Sequence, residues 1–391
     1  MDDAYLRHRL VDSLREGGWI TTAPVEEAMR ATQRHLFLPD ASLEEAYEDK
    51  NVPTKTGPDG ECLSSASAPH VVAMMLEQAE IAPGHRVLEV GAGTGYNAAL
   101  LTRLGATVTT IDIDADAVAH TRKALERAGV AEVTLVEGDG GNGVADGAPY
   151  DRIIVTAGAW DLPPAWTDQL APDGLLVVPL RFRGTTRSVC FQRDGDERLT
   201  SRSVRLCGFI PMRGPGGDGE RVIDLEGGVR MVCDEDQDIT GDALAGALDC
   251  TRHQMWSGVE IGEEPVHGVW GRLTAVEAGT CRVTAEPMAT RFGRANPAIP
   301  SLSPALVEGG SLAYLANKPR GGGRSELGSY GHGPHGRELC ERLIAQIRAW
   351  GPDRHERLRI TAAPRTAGAA AEQTKAQAVT KHHTTLFIAH P

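Results

Sequence analysis

The sequence predicts an α/β protein: a mostly parallel sheet covered by helices, followed by an α+β extension toward the carboxyl end. Three observations predict it. Between Arg86 and Pro179, short apolar strands alternate with helical stretches, the rhythm of a parallel sheet covered on both faces. The first of these strands, Arg86–Val90, runs through Gly91-Ala92-Gly93-Thr94-Gly95 into a helix over Tyr96–Arg103. The run Gly214-Pro215-Gly216-Gly217-Asp218-Gly219 reads as a linker, and beyond it the β-α rhythm is lost.

The totals bound the possibilities. A chain of 391 residues holds two domains, or one with a large extension. The expected division is 1–215, made of a helical substrate-side segment (1–80) and a core (81–215), and then 218–391. An apolar fraction of 41% with 24% charged residues fits a soluble globular protein. The longest apolar runs are strand-length, so no membrane partner is expected. The start lacks the apolar stretch of a secretory signal, and the seven scattered cysteines form no C-x-x-C. A cytoplasmic protein without disulfides or metal follows as the expectation. The net charge of −13 argues against nucleic acid held by bulk electrostatics; it would attract a cationic peptide or simply keep the chain soluble.

The glycine turn carries the chemistry. A strand entering a glycine turn and then a helix presents backbone N–H groups at the carboxyl edge of a sheet, where nucleotide-like ligands bind. Glu89 precedes the turn. Asp112 ends the next strand, 21 residues after Gly91, where an acid can accept both hydroxyls of a ribose. The third strand, Val133–Val136, leads into Glu137-Gly138-Asp139-Gly140, and a fourth spans Tyr150–Thr156. A generic Rossmann-like sheet with incidental acids is the plain alternative. Tyr96 follows Gly95 directly, so the dinucleotide pattern G-x-G-x-x-G is incomplete and an NAD-linked oxidoreductase is disfavoured. Acids at two successive strand tips favour S-adenosylmethionine.

The remaining elements follow in order. Leu6, Leu10, Val11 and Leu14 predict a helix over 4–16, and a second runs from about Val25 to Thr32 after Pro24. A polar loop extends to about Gly60, and Pro69 opens a helix to Glu80. Arg187–Arg193 and Ser203–Pro211 read as antiparallel strands. In the extension, a helix is predicted around Asp242–Met255, strands near Gly268–Leu273, Thr280–Ala285 and Ser311–Leu315, a helix over Gly336–Trp350, a flexible excursion over 362–380 and a last strand over Thr384–Ile388.

Several segments together resemble the protein-L-isoaspartate O-methyltransferase family: Ala28-Met29, Arg34-His35-Leu36-Phe37-Leu38-Pro39, Ala46-Tyr47, Ser67-Ala68-Pro69-His70, the turn Glu89–Tyr96, Gly138-Asp139-Gly140, Ala148–Ala157, Gln169-Leu170 with Gly174–Pro179, and Gly208-Phe209-Ile210-Pro211-Met212. They cover residues 1–215 in order. The repair enzymes of this family are expected to end near there. The tail, through Gly310–Leu315 and Glu326–Pro334, resembles longer actinobacterial members associated with lanthipeptides and graspetides, the FxLD-system methyltransferases. That resemblance implies esterification of an aspartate in a ribosomally made, modified precursor peptide. The ester would close to succinimide and then open to isoaspartate. Repair of damaged proteins, and a non-catalytic partner of a peptide-modifying complex, are the competing readings.

The resemblance implies Rossmann-like binding of S-adenosylmethionine. Gly91, Gly93 and Gly95 would frame its methionine portion, with Glu89, Tyr96 and Asn97 flanking them. Asp112 would take the ribose hydroxyls, Asp139 the adenine amino group with Gly140 beside it, and Ser64, Ser65 and Ala66 would close over the ligand. Ser67 is the candidate catalytic residue, donating to the acceptor carboxylate; the alternative is that it caps the helix at Pro69. The family's histidine two positions beyond His70 is Val72 here. His332, His335, His382 and His383 read as loop histidines without a metal role.

Overall fold

The computed structural model describes residues 2–194, 198–214, 219–355, 357–365 and 376–390. The chain forms two compact units: residues 1–180 with 186–218, and residues 181–185 with 219–391.

The first unit opens with α1 (Asp3–Glu16) and α2 (Ala23–Ala31). Asp2 caps α1 by accepting the Tyr5 N–H, and the helix buries Leu6, Leu10, Val11 and Leu14. Pro24 starts α2. The polar stretch expected to be a loop holds a short helix, α3 (Leu43–Ala46), and an antiparallel hairpin of β1 (Val52–Thr56) and β2 (Cys62–Ala66). Its residues are mostly half-exposed or exposed, so no apolar alternation announced it. Next comes α4 (Pro69–Ala79), almost wholly buried.

The sheet follows: β3 (Arg86–Val90), α5 (Tyr96–Arg103), β4 (Thr107–Asp112), α6 (Ala115–Arg127), β5 (Val133–Glu137), β6 (Tyr150–Val155), α7 (Pro164–Gln169), β7 (Leu170–Phe182), β8 (Thr185–Asp194) and β9 (Arg198–Leu206). These strands lie in the order β9-β8-β7-β6-β3-β4-β5. Strands β7, β6, β3, β4 and β5 are parallel neighbours, whereas β8 and β9 pair antiparallel. The last strand begins and ends earlier than its sequence suggests, and Pro211 forms only a bridge to Gly158. Val87, Leu88, Ile153, Ile154, Leu176 and Val177 are buried, as strands covered on both faces require. Val90 lies beside Ile111 and Val155, and Asp112 beside Glu137. The register therefore finishes β3, β4 and β5 in line and sets the glycine turn and both acidic tips on one edge.

The second unit contains β10 (Glu220–Asp224), β11 (Val229–Asp234), α8 (Gly241–Leu244), β12 (His253–Ile261), α9 (His267–Val276), β13 (Thr280–Ala285), α10 (Pro287–Arg291), β14 (Ser303–Glu308), β15 (Ser311–Gly321), β16 (Arg324–His332), α11 (Gly336–Trp350), β17 (Arg359–Pro364), β18 (Gln377–Thr380) and β19 (Thr384–Ala389). An antiparallel sheet runs β10-β11-β13-β14-β15-β16-β12. One face packs Leu315 and Leu327 against α9 and α11, and the other gathers Met231, Val283 and Tyr314. Strands β17, β19 and β18 pair antiparallel.

Four expectations fail here. The helix around Asp242–Met255 stops at Leu244, because Gly246 turns left-handed (φ 71°) and the apolar alternation after Arg252 belongs to β12. Gly268–Leu273 is helix α9, whose buried Val269, Trp270 and Leu273 share one face. The flanks of the 362–380 excursion form β17 and β18, while 366–375 lie outside the described residues, as do 215–218 of the linker. His332 is also no loop residue: it ends β16, buried and stacked on Tyr314.

Candidate functional site

A cavity of about 590 Å³ opens at the carboxyl edge of the first unit's sheet. The glycine turn forms its floor. Gly91, Gly93 and Gly95 have φ of 103°, 53° and 84°, a region that side chains with a Cβ avoid. At Gly91 a Cβ would also lie 2.5 Å from Thr156 Oγ1; at Gly93 it would meet open space. The chain's own bonds hold the turn. The Gly93 N–H donates to Asp112 Oδ2 (3.0 Å), Thr121 Oγ1 donates to Gly93 O (3.1 Å), and Thr156 Oγ1 donates to Gly91 O (2.6 Å). The other Asp112 oxygen accepts the Asp114 N–H at 2.9 Å.

Glu89 lies under the turn, fully buried. Asn97 Nδ2 donates to Glu89 Oε1 (2.9 Å), and the Thr110 hydroxyl also favours the carboxylate. Burial raises its pKa to about 7, against the opposing bonds. A buried carboxyl on the cavity wall fits a ligand that brings a cationic amine. Tyr96 is buried edge-on to Phe37, with the Arg34 guanidinium 5.7 Å over its ring.

The structure brings Ser64, Ser65, Ala66, Ser67, Glu89, Gly91, Gly93, Tyr96, Asn97, Asp112 and Gly140 onto the cavity wall. Gly95 lies behind it, against Thr121. Asp139 stands next to Gly140, but its carboxylate accepts the Gly141 N–H (2.9 Å). Ser67 does not cap α4: the capping position is Ala68, without a side-chain bond, and the first turn is served by Asp49, which accepts the His70 N–H at 2.9 Å. The same Asp49 oxygen lies 2.9 Å from His70 Nδ1, and Trp19 packs on that imidazole. Burial opposes ionisation of Asp49, yet the His70 bonds prevail and lower its pKa.

Sequence reasoning missed other parts. Buried Arg34 donates to Ala46 O (2.7 Å) and Ser67 O (2.9 Å), fixing the backbone that carries Ser67. Asp114 collects Lys55 of the β1–β2 hairpin (2.7 Å) and Arg213 of the late segment (2.9 Å), and these partners lower its pKa to about 2. Phe209, Ile210 and Met212 line the cavity, held by Gly158 N–H to Ile210 O (2.8 Å) and Met212 N–H to Gly158 O (2.9 Å). The motif at Arg34 was visible in the sequence; the contacts of Asp114 had no local signal.

A parallel Rossmann-like sheet, a left-handed glycine turn and an acid at the tip of the second strand, Asp112, are the features of the class of S-adenosylmethionine-dependent methyltransferases. The profile of the family described as Protein-L-isoaspartate(D-aspartate) O-methyltransferase (PCMT) matches residues 6–216, and the chain belongs to that family. It is 41% identical over 222 residues to a protein-L-isoaspartate O-methyltransferase of Hyperthermus butylicus, covering 54% of this chain and 90% of the relative. It is 37% identical over 215 residues to that of Methanopyrus kandleri, covering 54% and 92%. A solved structure entitled protein-L-isoaspartate O-methyltransferase matches 91% of this chain and 96% of its own, with a TM-score of 0.51 and 23% identity. A fold of this extent thus occurs under that title, while the two curated relatives match 54% of this chain and end near the boundary expected at 215. The chain is an enzyme of the carboxyl O-methyltransferase class, and its cofactor is S-adenosylmethionine.

Proposed function

We propose that this enzyme esterifies an aspartate side-chain carboxylate of a ribosomally made, modified precursor peptide, and that the ester then collapses to succinimide and opens in part to isoaspartate. The observation that carries the reading is Val72. It is buried and lines the cavity at the position where the isoaspartyl family resemblance calls for histidine. An apolar side chain there changes the wall met by an acceptor. The segments Gly310–Leu315 and Glu326–Pro334, which resemble the lanthipeptide- and graspetide-associated members, lie in β15 and in β16 with the loop after it.

S-adenosylmethionine supplies the methyl group on a sulfonium. In this reading Asp112 binds its ribose hydroxyls with lone pairs left free by the Gly93 and Asp114 N–H groups, and Glu89 faces its amino group. Gly140 offers an N–H near the adenine, with Asp139 holding that loop. The acceptor carboxylate is ionised near neutral pH, since an unperturbed aspartate titrates near ~3.9. No general base is required. Ser67, unencumbered by capping, donates its hydroxyl to that carboxylate, and Arg34 fixes the Ser67 backbone. Val72, Phe209 and Ile210 keep water from the reacting atoms, so alignment supplies the rate.

Repair of isoaspartyl proteins is the second reading, favoured by the names of the relatives and by the long solved structure with the same title. Intact-mass analysis separates the two. An unaged aspartyl precursor, cyclised and linear, and an isoaspartyl peptide are each incubated with enzyme and cofactor. A methyl gained on the aspartyl peptide and then lost as methanol is the expected result; methylation of the isoaspartyl peptide alone would replace it with repair.

A further inference from the structure

Among the described residues, β12 ends the second unit's sheet and pairs only with β16. Such an edge offers backbone N–H and C=O groups to an incoming strand. Its pairing is interrupted between Trp256 and Glu260, where Gly258 has φ 81° and donates its N–H to Glu326 (2.8 Å). Beside this bulge lies an open groove of about 470 Å³, lined by Ser257, Val259, Glu260, Arg324, Arg348 and Arg354. On the sheet face away from α11, the Trp256 ring covers Gly328, where a Cβ would come within 2.3 Å of it, and meets Tyr330 edge-on at 5.9 Å. The Arg252 guanidinium lies 4.4 Å over Tyr330 and the Lys318 ammonium 4.0 Å over Trp256.

The charges around this edge do not balance. Lys318 and Arg320 share the carboxylate of Glu326; Arg324 pairs with Glu260, and Arg354 with Glu264. Arg252 and Arg348 have no carboxylate partner among the described residues, Arg348 donating instead to Ser257 O. Six cations thus stand near four carboxylates, Glu260, Glu263, Glu264 and Glu326, in a chain of net charge −13. The cations that neighbouring β15, β16 and α11 bring to the β12 edge give it the sign to hold an acidic strand.

We propose that the β12 edge docks an acidic, extended segment of the peptide substrate, added to the sheet as a further strand with an apolar side chain seated beside Trp256 and Tyr330. This rests on the reading of the substrate as a peptide. Main-chain bonds would supply affinity, and the arginines and the aromatic pair selectivity.

Fluorescence anisotropy tests it on the full chain. The probe is a labelled peptide alternating glutamate and valine around a central phenylalanine. One control replaces each glutamate with lysine, and another is N-methylated at alternate backbone amides. Expected are binding of the glutamate probe, at least about tenfold weaker binding of both controls, and a loss of about tenfold on going from about 0.15 M to 1 M salt. Combining Arg252→Glu with Arg348→Glu should weaken the probe by about tenfold or more while calorimetric affinity for S-adenosylmethionine stays unchanged. No binding, equal binding of the lysine probe, or indifference to N-methylation would overturn the proposal, and none of these readings needs a variant to fold. Binding here without methyl transfer to an aspartyl peptide removes the tailoring reading and leaves the dock; transfer without binding does the reverse.

Discussion

Glu89 is the residue whose burial has the clearest cost. Its carboxyl titrates at about 7 in the folded chain, above the ordinary 4.5. The folded state therefore holds the proton more tightly, and the stability this gives is complete below pH ~4.5 and is lost as pH rises through about 7. Glu89→Gln keeps the acceptor for Asn97 and removes the charge. Thermal melts of the cofactor-free protein should show the variant gaining on the parent across that window, by up to about 3 kcal/mol at pH 8. A parallel pH profile would contradict the assignment. Asp112→Ala removes the acceptor of the Gly93 N–H and the proposed ribose contact together, and calorimetry should find cofactor affinity about tenfold to a hundredfold lower. Both residues were legible in the sequence because strand, turn and helix are local: periodicity locates the strand ends, and glycines mark the positive φ.

Among the elements, the β1–β2 hairpin depends on partners remote in sequence. Lys55 and Arg213 converge on Asp114 from 59 and 99 residues away, and no local pattern encodes such a meeting. The hairpin was invisible for the same reason: its partly exposed strands are specified by each other and by the site they border. Asp114→Asn should raise amide exchange across residues 52–66 while leaving α6 folded. Unaltered exchange there would mean that the ion pairs hold nothing. In the extension, local signals misled at α9 and β12, where a valine-tryptophan run and a helix-like spacing were each settled by what packs against them. By contrast α11, with its apolar stripe, was read correctly to the residue.

At the scale of the whole molecule, each unit carries its own charge arrangement. In the second, fully buried Asp234 accepts the Arg183 N–H with both oxygens, pairs with the Arg183 guanidinium at 3.1 Å and lies 3.5 Å from the buried Lys381 ammonium. Asp234→Ala takes from buried Arg183 one of its two carboxylates, Asp236 remaining, and from buried Lys381 the carboxylate at 3.5 Å, and should cost ~3–5 kcal/mol by denaturant titration. No local pattern announces this cluster, since its members lie in separate segments around residues 183, 234 and 381. The basic β12 edge on an acidic chain has a further consequence, and it concerns rates. At about 0.01 M salt the Debye length is ~30 Å, so an approaching acidic peptide meets the repulsion of the whole chain; at about 0.15 M it is ~8 Å, and only the nearby arginines are felt; at 1 M it is ~3 Å, and they fade as well. The association rate should therefore pass through a maximum at intermediate ionic strength, making the enzyme quickest to capture such a peptide near physiological salt.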